Sequence, residues 1–159
     1  MIFLTVGSQK FQFDRLLKEV DKLVQEQKIS DQIVGQIGYS NYLPQYFEYQ
    51  KFMEHSVFEQ TLKKSELVIT HGGSGAIINA LKMKKKVIAI PRLSQFKEHV
   101  DDHQKEIIAL FQQQNYIKAV LDVHELHQAI DTIHQQTFET FESNTEKIIA
   151  EIDGFIQEQ

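Results

Sequence analysis

The chain has 159 residues, with 22 acidic against 17 basic residues, a formal net charge of −5, and neither Cys nor Trp. This length fits one domain of ~100–200 residues, and 42% apolar with 25% charged residues is typical of a globular protein rather than a disordered one. The lack of Cys excludes disulfides and thiolate chemistry, and the net negative charge argues against nucleic acid as a partner.

Short apolar runs alternate along the chain with longer segments of helical period. The apolar runs predict strands at Ile2–Val6, Gln32–Ile37, Tyr46–Met53, Glu66–Thr70, Val87–Ile90 and Tyr116–Val120. The periodic segments predict helices at about 11–27, from a Ser56 cap onward, and at 76–83, 98–114, 123–135 and 138–157. This alternation predicts an α/β fold, a Rossmann-like parallel sheet with helices on both faces, in a single domain over residues 1–159.

A glycine-rich turn follows the fourth predicted strand and precedes a predicted helix. It reads His71-Gly72-Gly73-Ser74-Gly75 and is neither the spaced G-x-G-x-x-G pattern nor a Walker loop. In parallel sheets ligands bind beyond the carboxyl ends of the strands, and a helix N-terminus offers unpaired N–H donors to an anion. The turn therefore predicts an anion site with side-chain donors from Ser74 and His71. A tight turn without a ligand is the alternative.

A second polar stretch leaves the carboxyl end of the next predicted strand. It begins at Pro91 and ends in Asp101, Asp102, His103 and Gln104. Their mixed donors and acceptors suit the hydroxyl groups of a sugar. Two alternatives stay open: zinc binding by His99 and His103, which are four residues apart on a predicted helix, and a solvated helix start with acidic residues.

These segments resemble a known family when they are taken in order. The stretches Leu67–Ile77, Val87–Pro91 and Glu98–Gln104 resemble the C-terminal, donor-binding half of family-28 glycosyltransferases, and the likeness extends back to Phe3–Gly7. The most similar members are short: the catalytic subunit of the eukaryotic dolichol-linked N-acetylglucosamine transferase and bacterial capsule or exopolysaccharide galactosyltransferase subunits. The resemblance implies the C-terminal half of a GT-B enzyme that uses a UDP-sugar donor.

The resemblance also implies which residues contact the donor. By position, the diphosphate would be held by His71, Gly72, Gly73, Ser74 and Gly75, uracil by Phe52 and Met53, and the sugar by His103 and Gln104, while Gly7 and Ser8 would face the interdomain cleft. Family members often carry a Glu on the helix after the glycine turn, where it grips the ribose. That position is Asn79 here, and an amide is a weaker acceptor than a carboxylate.

The resemblance further implies a two-chain inverting transferase. The glycine turn and His71 would stabilise the departing UDP, so neither a cofactor nor a divalent metal is expected. A membrane-associated partner subunit would supply the general base and bind the lipid-linked saccharide acceptor in capsule or exopolysaccharide synthesis. Galactose is the favoured donor sugar, with N-acetylglucosamine as the second choice. The alternatives are a non-catalytic accessory subunit of a partner transferase and a nucleotide-sugar isomerase.

The remaining expectations concern location and partner contact. The chain has no apolar run of the ~20 residues that span a membrane, and its start lacks the basic segment and apolar segment of a signal peptide. We therefore expect a cytoplasmic protein that its partner holds at the inner face of the membrane. A helical stripe near the C-terminus suits either packing on the domain itself or partner docking: Phe138, Phe141, Thr145, Ile148, Ile149, Ile152, Phe155 and Ile156. The basic run of Lys82 and Lys84 to Lys86 predicts a solvated helix end, with an anionic membrane contact as the alternative.

Overall fold

The computed structural model describes residues 1–142, which form alternating strands and helices. The strands are β1 (Ile2–Thr5), β2 (Ile33–Gln36), β3 (Glu48–Gln50), β4 (Leu67–His71), β5 (Lys86–Ile90) and β6 (Lys118–Ala119). The helices are α1 (Asp14–Gln25), α2 (His55–Lys64), α3 (Ser74–Lys82), α4 (His103–Gln113) and α5 (Leu126–Thr132). Short 3-10 turns lie at Ser94–Phe96, Val123–Glu125 and Ile133–Gln135.

The strands form one parallel, 6-stranded sheet in the order β3-β2-β1-β4-β5-β6. Strand β1 is central, and its Ile2 pairs with Ile33 of β2 on one side and with Leu67 of β4 on the other. The chain builds first to one edge and then to the other, so the strand order reverses between β1 and β4. Open α/β sheets leave a ligand crevice beyond the carboxyl ends of the strands at such a switch point.

Two apolar cores cover the two faces of the sheet. Ile2 and Leu4 of β1 pack into the core that includes α1 and α5, whereas Phe3 packs into the core that includes α2, α3 and α4. Successive strand side chains point to opposite faces, so near-continuous apolar strands are what a sheet buried on both sides requires. The predicted Rossmann-like sheet with helices on both faces is confirmed.

The largest boundary error concerns the helix predicted to begin at residue 98. Helix α4 begins at His103, because Glu98 turns inward and accepts hydrogen bonds from the guanidinium of Arg15 and from Leu93 N–H. Lys97 has a left-handed backbone, with φ 57°, which interrupts any helix before Glu98.

Other predicted boundaries are also wrong. Ser56 does not cap α2, which begins at His55 after Glu54 and has no side-chain cap. Strands β3 and β6 are shorter than predicted, α3 begins at Ser74 rather than 76, and only Leu126–Thr132 is α-helical within 123–135. Residues 136–142 are not helical, so the helix predicted from 138 does not start there. Phe138 and Phe141 pack against the domain's own cores, and the rest of the C-terminal stripe lies outside the described residues.

Two members of the basic run make specific hydrogen bonds in addition to their contact with solvent. Lys85 Nζ donates to the carbonyl of Lys63 at 2.8 Å. Lys86 Nζ donates to the carbonyls of Ile133, His134 and Gln136, each at 3.1 Å. Both ammonium groups therefore satisfy carbonyl oxygens at the ends of neighbouring helices. Within the part of the chain that the structure describes, no helix has the length and apolarity of a membrane span.

Candidate functional site

A cavity of about 610 Å³ lies beyond the carboxyl ends of β1, β2 and β4, at the switch point of the sheet. Its lining includes every residue predicted from the sequence to contact the donor: Gly7, Ser8, Phe52, Met53, His71, Gly72, Gly73, Ser74, Gly75, Asn79, His103 and Gln104. The sequence pattern does not predict the other lining residues: Thr5, Gln9, Gln36, His55, Phe58, Ala76, His99 and Ile107. None of these described lining residues is Asp, Glu, Lys or Arg. The fold thus gathers all the predicted site residues, while their binding roles stay predictions.

The start of α3 presents backbone donors to the cavity. Gly73 is the N-cap and provides no side-chain cap. The N–H groups of residues 74–76 lie in the first helical turn, where no intrahelical acceptor is available. These residues line the cavity, so their unpaired donors and the positive end of the helix dipole favour an anion there.

Two glycines of the cavity lining pack so closely against His71 that a side chain would not fit, whereas Gly75 does not. Gly7 has φ 78°, and a Cβ added there would lie 2.6 Å from His71 Nε2. A Cβ on Gly73 would lie 2.2 Å from Cε1 of the same imidazole. By contrast, a Cβ on Gly75 would meet nothing within 4 Å. Gly7 and Gly73 therefore make room for His71, whereas Gly75 has open space beside it at the cavity.

The imidazole of His71 is buried at the back of the cavity. Its Nδ1 accepts a hydrogen bond from Gly73 N–H at 3.1 Å and lies 3.2 Å from Nη1 of Arg92. Burial, followed by the positive charge of Arg92, lowers the pKa of His71 to about 3. The ring is therefore neutral at neutral pH, and because Nδ1 is an acceptor the proton lies on Nε2, which faces Gly7.

Arg92 is a functional-site neighbour that the sequence pattern does not predict. It follows Pro91 after β5 and is fully buried. Burial lowers its pKa to about 10, an effect opposed by Glu98, so the guanidinium is charged at neutral pH. The signal in the sequence is an arginine placed at the carboxyl end of an apolar strand, where a buried cation is unusual.

Gln104 ties the ends of two strands to α4. Its side-chain oxygen accepts hydrogen bonds from Gly72 N–H and Arg92 N–H, each at 3.0 Å. Its Nε2 lies 3.5 Å from His71 Nδ1. The oxygen is thus committed to two backbone donors, and only the amide N–H group is left for the predicted contact with a sugar.

The two aspartates of the polar stretch do not line the cavity. Asp101 accepts a hydrogen bond from His103 N–H at 3.0 Å and lies 3.1 Å from Nδ1 of His99. Asp102 accepts from Ser94 N–H at 2.8 Å, and this bond lowers the pKa of Asp102. Both carboxylates therefore shape the turn before α4 instead of holding sugar hydroxyls.

The zinc alternative loses its geometric basis. His99 precedes α4, so His99 and His103 are not a pair on one helix face. His103 Nδ1 instead lies 3.2 Å from Oε2 of Glu106. Across residues 1–142, no group of three or more His, Cys, Asp or Glu side chains could hold a metal ion.

Asn79 has a carboxylate beside it that comes from another helix. Its Nδ2 donates to Oε1 of Glu59, in α2, at 3.1 Å. Glu59 is half-buried and does not itself line the cavity. The helix after the glycine turn therefore lacks a carboxylate at this position, but α2 places one against the same amide.

Phe52 and Met53 form one wall of the cavity, and each has a neighbour that fixes or extends it. Met53 N–H donates to Oε1 of the buried Gln36 at 2.8 Å. Phe52 and Tyr39 are both about half exposed and make an edge-to-face contact with centroids 5.0 Å apart. An exposed aromatic face next to a cavity can stack on a planar ring.

The family model for the glycosyltransferase family 28 C-terminal domain matches residues 1–158. The chain belongs to this family. No curated protein matches the chain. Among solved structures, this family-28 domain is similar to MurG of Acinetobacter baumannii at 18% identity and a TM-score of 0.59, over 83% of this chain and 40% of that one.

Two further structures show the same likeness. The NMR structure of ALG13 matches at 16% identity and a TM-score of 0.59, over 88% of both chains. The glycosyltransferase SnogD from Streptomyces nogalater matches at 18% identity and a TM-score of 0.53, over 76% of this chain and 31% of that one. This family-28 domain thus has the fold of the C-terminal half of GT-B glycosyltransferases, and it spans less than half of the MurG and SnogD chains.

Proposed function

We propose that this domain binds a UDP-sugar in the cavity between β1 and β4 and acts as the donor-binding, catalytic subunit of a two-chain inverting glycosyltransferase. One observation carries the proposal. The N–H groups at the start of α3 lie at a cavity that His71 also lines, with its Nε2 beside Gly7, and the described lining contains no carboxylate. A diphosphate would meet donors there without repulsion.

The same donors fit the chemistry of the transfer. An acceptor hydroxyl attacks C1 of the sugar from the face opposite to UDP, the bond from C1 to the diphosphate oxygen breaks, and the configuration at C1 inverts. Negative charge grows on the diphosphate as it leaves, so fixed N–H groups stabilise the transition state more than the ground state. This arrangement supports the prediction that a divalent cation is not required.

The other walls of the cavity suit the rest of the donor. Phe52 and Met53 would hold uracil, with the Phe52–Tyr39 pair as the stacking surface. The amide of Asn79, backed by Glu59, would take the place of a carboxylate at the ribose. The amide N–H of Gln104 and the ring of His103 would contact the sugar.

We propose that the acceptor side of the cleft comes from a membrane-associated partner subunit. The cavity lining has no acidic side chain among the described residues, so a carboxylate general base would have to come from elsewhere. The match covers 40% of the MurG chain, so this domain corresponds to one part of that structure. The partner would bind a lipid-linked saccharide and hold the domain at the inner face of the membrane, in capsule or exopolysaccharide synthesis with galactose favoured over N-acetylglucosamine.

Calorimetric titration with UDP tests the donor site, and Gly75→Val sharpens it. The added side chain meets no protein atom near its Cβ, so the variant should fold but bind UDP at least about tenfold more weakly, because the valine occupies ligand space. Ala109→Val, at an exposed position of α4, is the control for added bulk on a helix. Unchanged affinity in Gly75→Val would contradict the assignment of the glycine turn.

Two outcomes would replace the proposal. If UDP binds neither to the domain alone nor to the reconstituted pair, the donor-site proposal is wrong. If His71→Ala leaves turnover of the pair intact while complex formation is still required, the domain is a non-catalytic accessory subunit. Competition between UDP-galactose and UDP-N-acetylglucosamine in the same calorimeter identifies the preferred donor sugar.

A further inference from the structure

A buried cation lies directly behind the imidazole of His71. The side chain of Arg92 is 0% exposed, although a charge is costly to bury unless hydrogen bonds replace its water. Arg92 does not line the cavity, so it has no direct contact with anything bound there. Its position therefore calls for a role that acts through a neighbour.

One planar guanidinium joins the two turns that border the cavity. Nη2 donates to the carbonyls of Val6 at 2.7 Å and Phe11 at 3.1 Å, on either side of the turn that carries Gly7. Nη1 donates to Nδ1 of His71 at 3.2 Å, at the start of the glycine turn. Because the guanidinium donors have a fixed fork geometry, these bonds set the ring of His71 relative to the Gly7 turn.

The charge of Arg92 is not neutralised at the histidine. Glu98, the acid whose charge acts on Arg92, is engaged by both Nε and Nη2 of Arg15. The groups that face His71 are the cation of Arg92, the ring of His99 and the neutral amide of Gln104. A cation and the Gly73 N–H both point at Nδ1, so a proton on that nitrogen would meet two donors.

We propose that Arg92 is a positioning residue of the donor site, which holds His71 with Nδ1 as the acceptor and Nε2–H directed into the cavity as a fixed donor to the diphosphate. The ligand in this statement rests on the proposed function. The state of the His71 ring, however, is a property of the ligand-free domain and is measured without any nucleotide.

A purely structural role makes a different prediction. If Arg92 serves only to hydrogen-bond the carbonyls of Val6 and Phe11, its replacement lowers stability. It then changes neither the protonation of His71 nor the dependence of UDP binding on His71. The two roles therefore separate in a spectroscopic readout and in a double-mutant cycle.

The first test is long-range proton–nitrogen NMR of the ligand-free full chain. We expect the ring of His71, assigned by its loss in His71→Gln, to carry its proton on Nε2 and to stay neutral from pH 8 down to about 5. In Arg92→Gln we expect a raised pKa or a mixture of tautomers. A proton on Nδ1 in the unaltered protein, or ring signals unchanged in Arg92→Gln, would overturn the proposal.

The second test is a cycle of UDP affinities with Arg92→Gln and His71→Asn. We expect Arg92→Gln to weaken UDP binding about tenfold in the native background but less than about twofold when His71 is already Asn, because the effect passes through the imidazole. If the double variant loses UDP affinity by the full product of the two single losses, the effects are independent and the proposal is overturned. Arg92→Lys, which keeps a cation and a donor, should restore part of the affinity, and it completes the cycle if Arg92→Gln does not fold.

Lys86→Gln is the matched control. Lys86 is a partly buried cation at the opposite end of β5 and also donates to backbone carbonyls, those of Ile133, His134 and Gln136. Its replacement should lower stability and leave UDP affinity and the His71 signals unchanged. A protein that binds no UDP would refute the proposed function, and the NMR measurement alone would then decide the pairing of Arg92 with His71.

Discussion

Replacing Gln104 by Ala tests whether its oxygen holds the edge of the cavity together. The side chain is 5% exposed and accepts from two backbone N–H groups, those of Gly72 and Arg92. In Gln104→Ala both donors lose their acceptor inside the protein. The turn after β4 and the segment after β5 then lose their common link to α4.

The size of the effect follows from these two bonds. A buried N–H left without a partner costs about 1–3 kcal/mol, so the pair predicts about 2–6 kcal/mol. A water molecule that enters the vacated space would recover part of this cost, and the better helix propensity of Ala returns only a few tenths of a kcal/mol. We therefore expect Gln104→Ala to lower the free energy of unfolding by about 3 kcal/mol.

Urea unfolding followed by circular dichroism measures this loss, and Gln112→Ala is the control. Gln112 lies in the same helix and also accepts from a backbone N–H, that of Ala119 at 2.8 Å, but the bond is exposed. Water replaces an exposed acceptor, so the control should lose at most about 1 kcal/mol. If Gln104→Ala costs no more than Gln112→Ala, the link between the strands and α4 does not stabilise the domain as argued.

Three further variants probe the surroundings of the cavity. Gly7→Ala should lower the free energy of unfolding by about 1–3 kcal/mol in urea, because φ is 78° and the new Cβ would lie 2.6 Å from His71 Nε2. Glu98→Gln should lower the free energy of unfolding by about 1.5–3 kcal/mol in thermal melting, because the partly exposed guanidinium of Arg15 loses its charged hydrogen-bond acceptor. For His71, the folded pKa of about 3 is below the ordinary 6.5, so the unfolded chain binds a proton that the folded chain does not. The free energy of unfolding therefore carries no penalty from His71 above pH 6.5, and it falls as the pH decreases from 6.5 toward 3.

Each of these expectations has a contrary result. A Gly7→Ala variant as stable as the native protein would mean that the turn accepts a side chain without moving His71. An unchanged melting temperature in Glu98→Gln would mean that contacts other than the Arg15–Glu98 pair hold residues 91–98 in place. For the pH effect, His71→Gln lacks the titrating ring, so its stability should fall less steeply below pH 6.5 than that of the native protein; parallel curves would contradict a depressed pKa.

The strand–helix alternation and the glycine turn were predictable because their signals are local. Apolar runs and helical periods give the order of the elements, and that order implies a parallel sheet with its ligand site at the carboxyl edge. The position of His71–Gly75 between a strand and a helix is readable from a single segment. For the same reason the predicted contact residues, although distant in sequence, lie around one cavity.

The errors occur where distant residues compete with a local pattern. Residues 98–102 have helical spacing, yet Glu98 pairs with Arg15, 83 positions away, and its chain segment turns inward to make that bond. Ser56 and Glu59 have the spacing of a capping box, yet the Glu59 carboxylate accepts from Asn79 of the next helix. The windows of about 11–18 residues that reveal a helical period contain both partners of neither pair.

The sequence by itself determined the family, the fold class and which residues line the candidate site, because each depends on patterns within short segments and on their order. Only the tertiary structure decided how the site is held: Arg92 behind His71, Gln104 between two strand ends, and Glu59 against Asn79. These contacts join segments that are far apart in the chain. Their hydrogen-bonding partners, burial and charge exist only once the sheet has brought the carboxyl ends of its strands together.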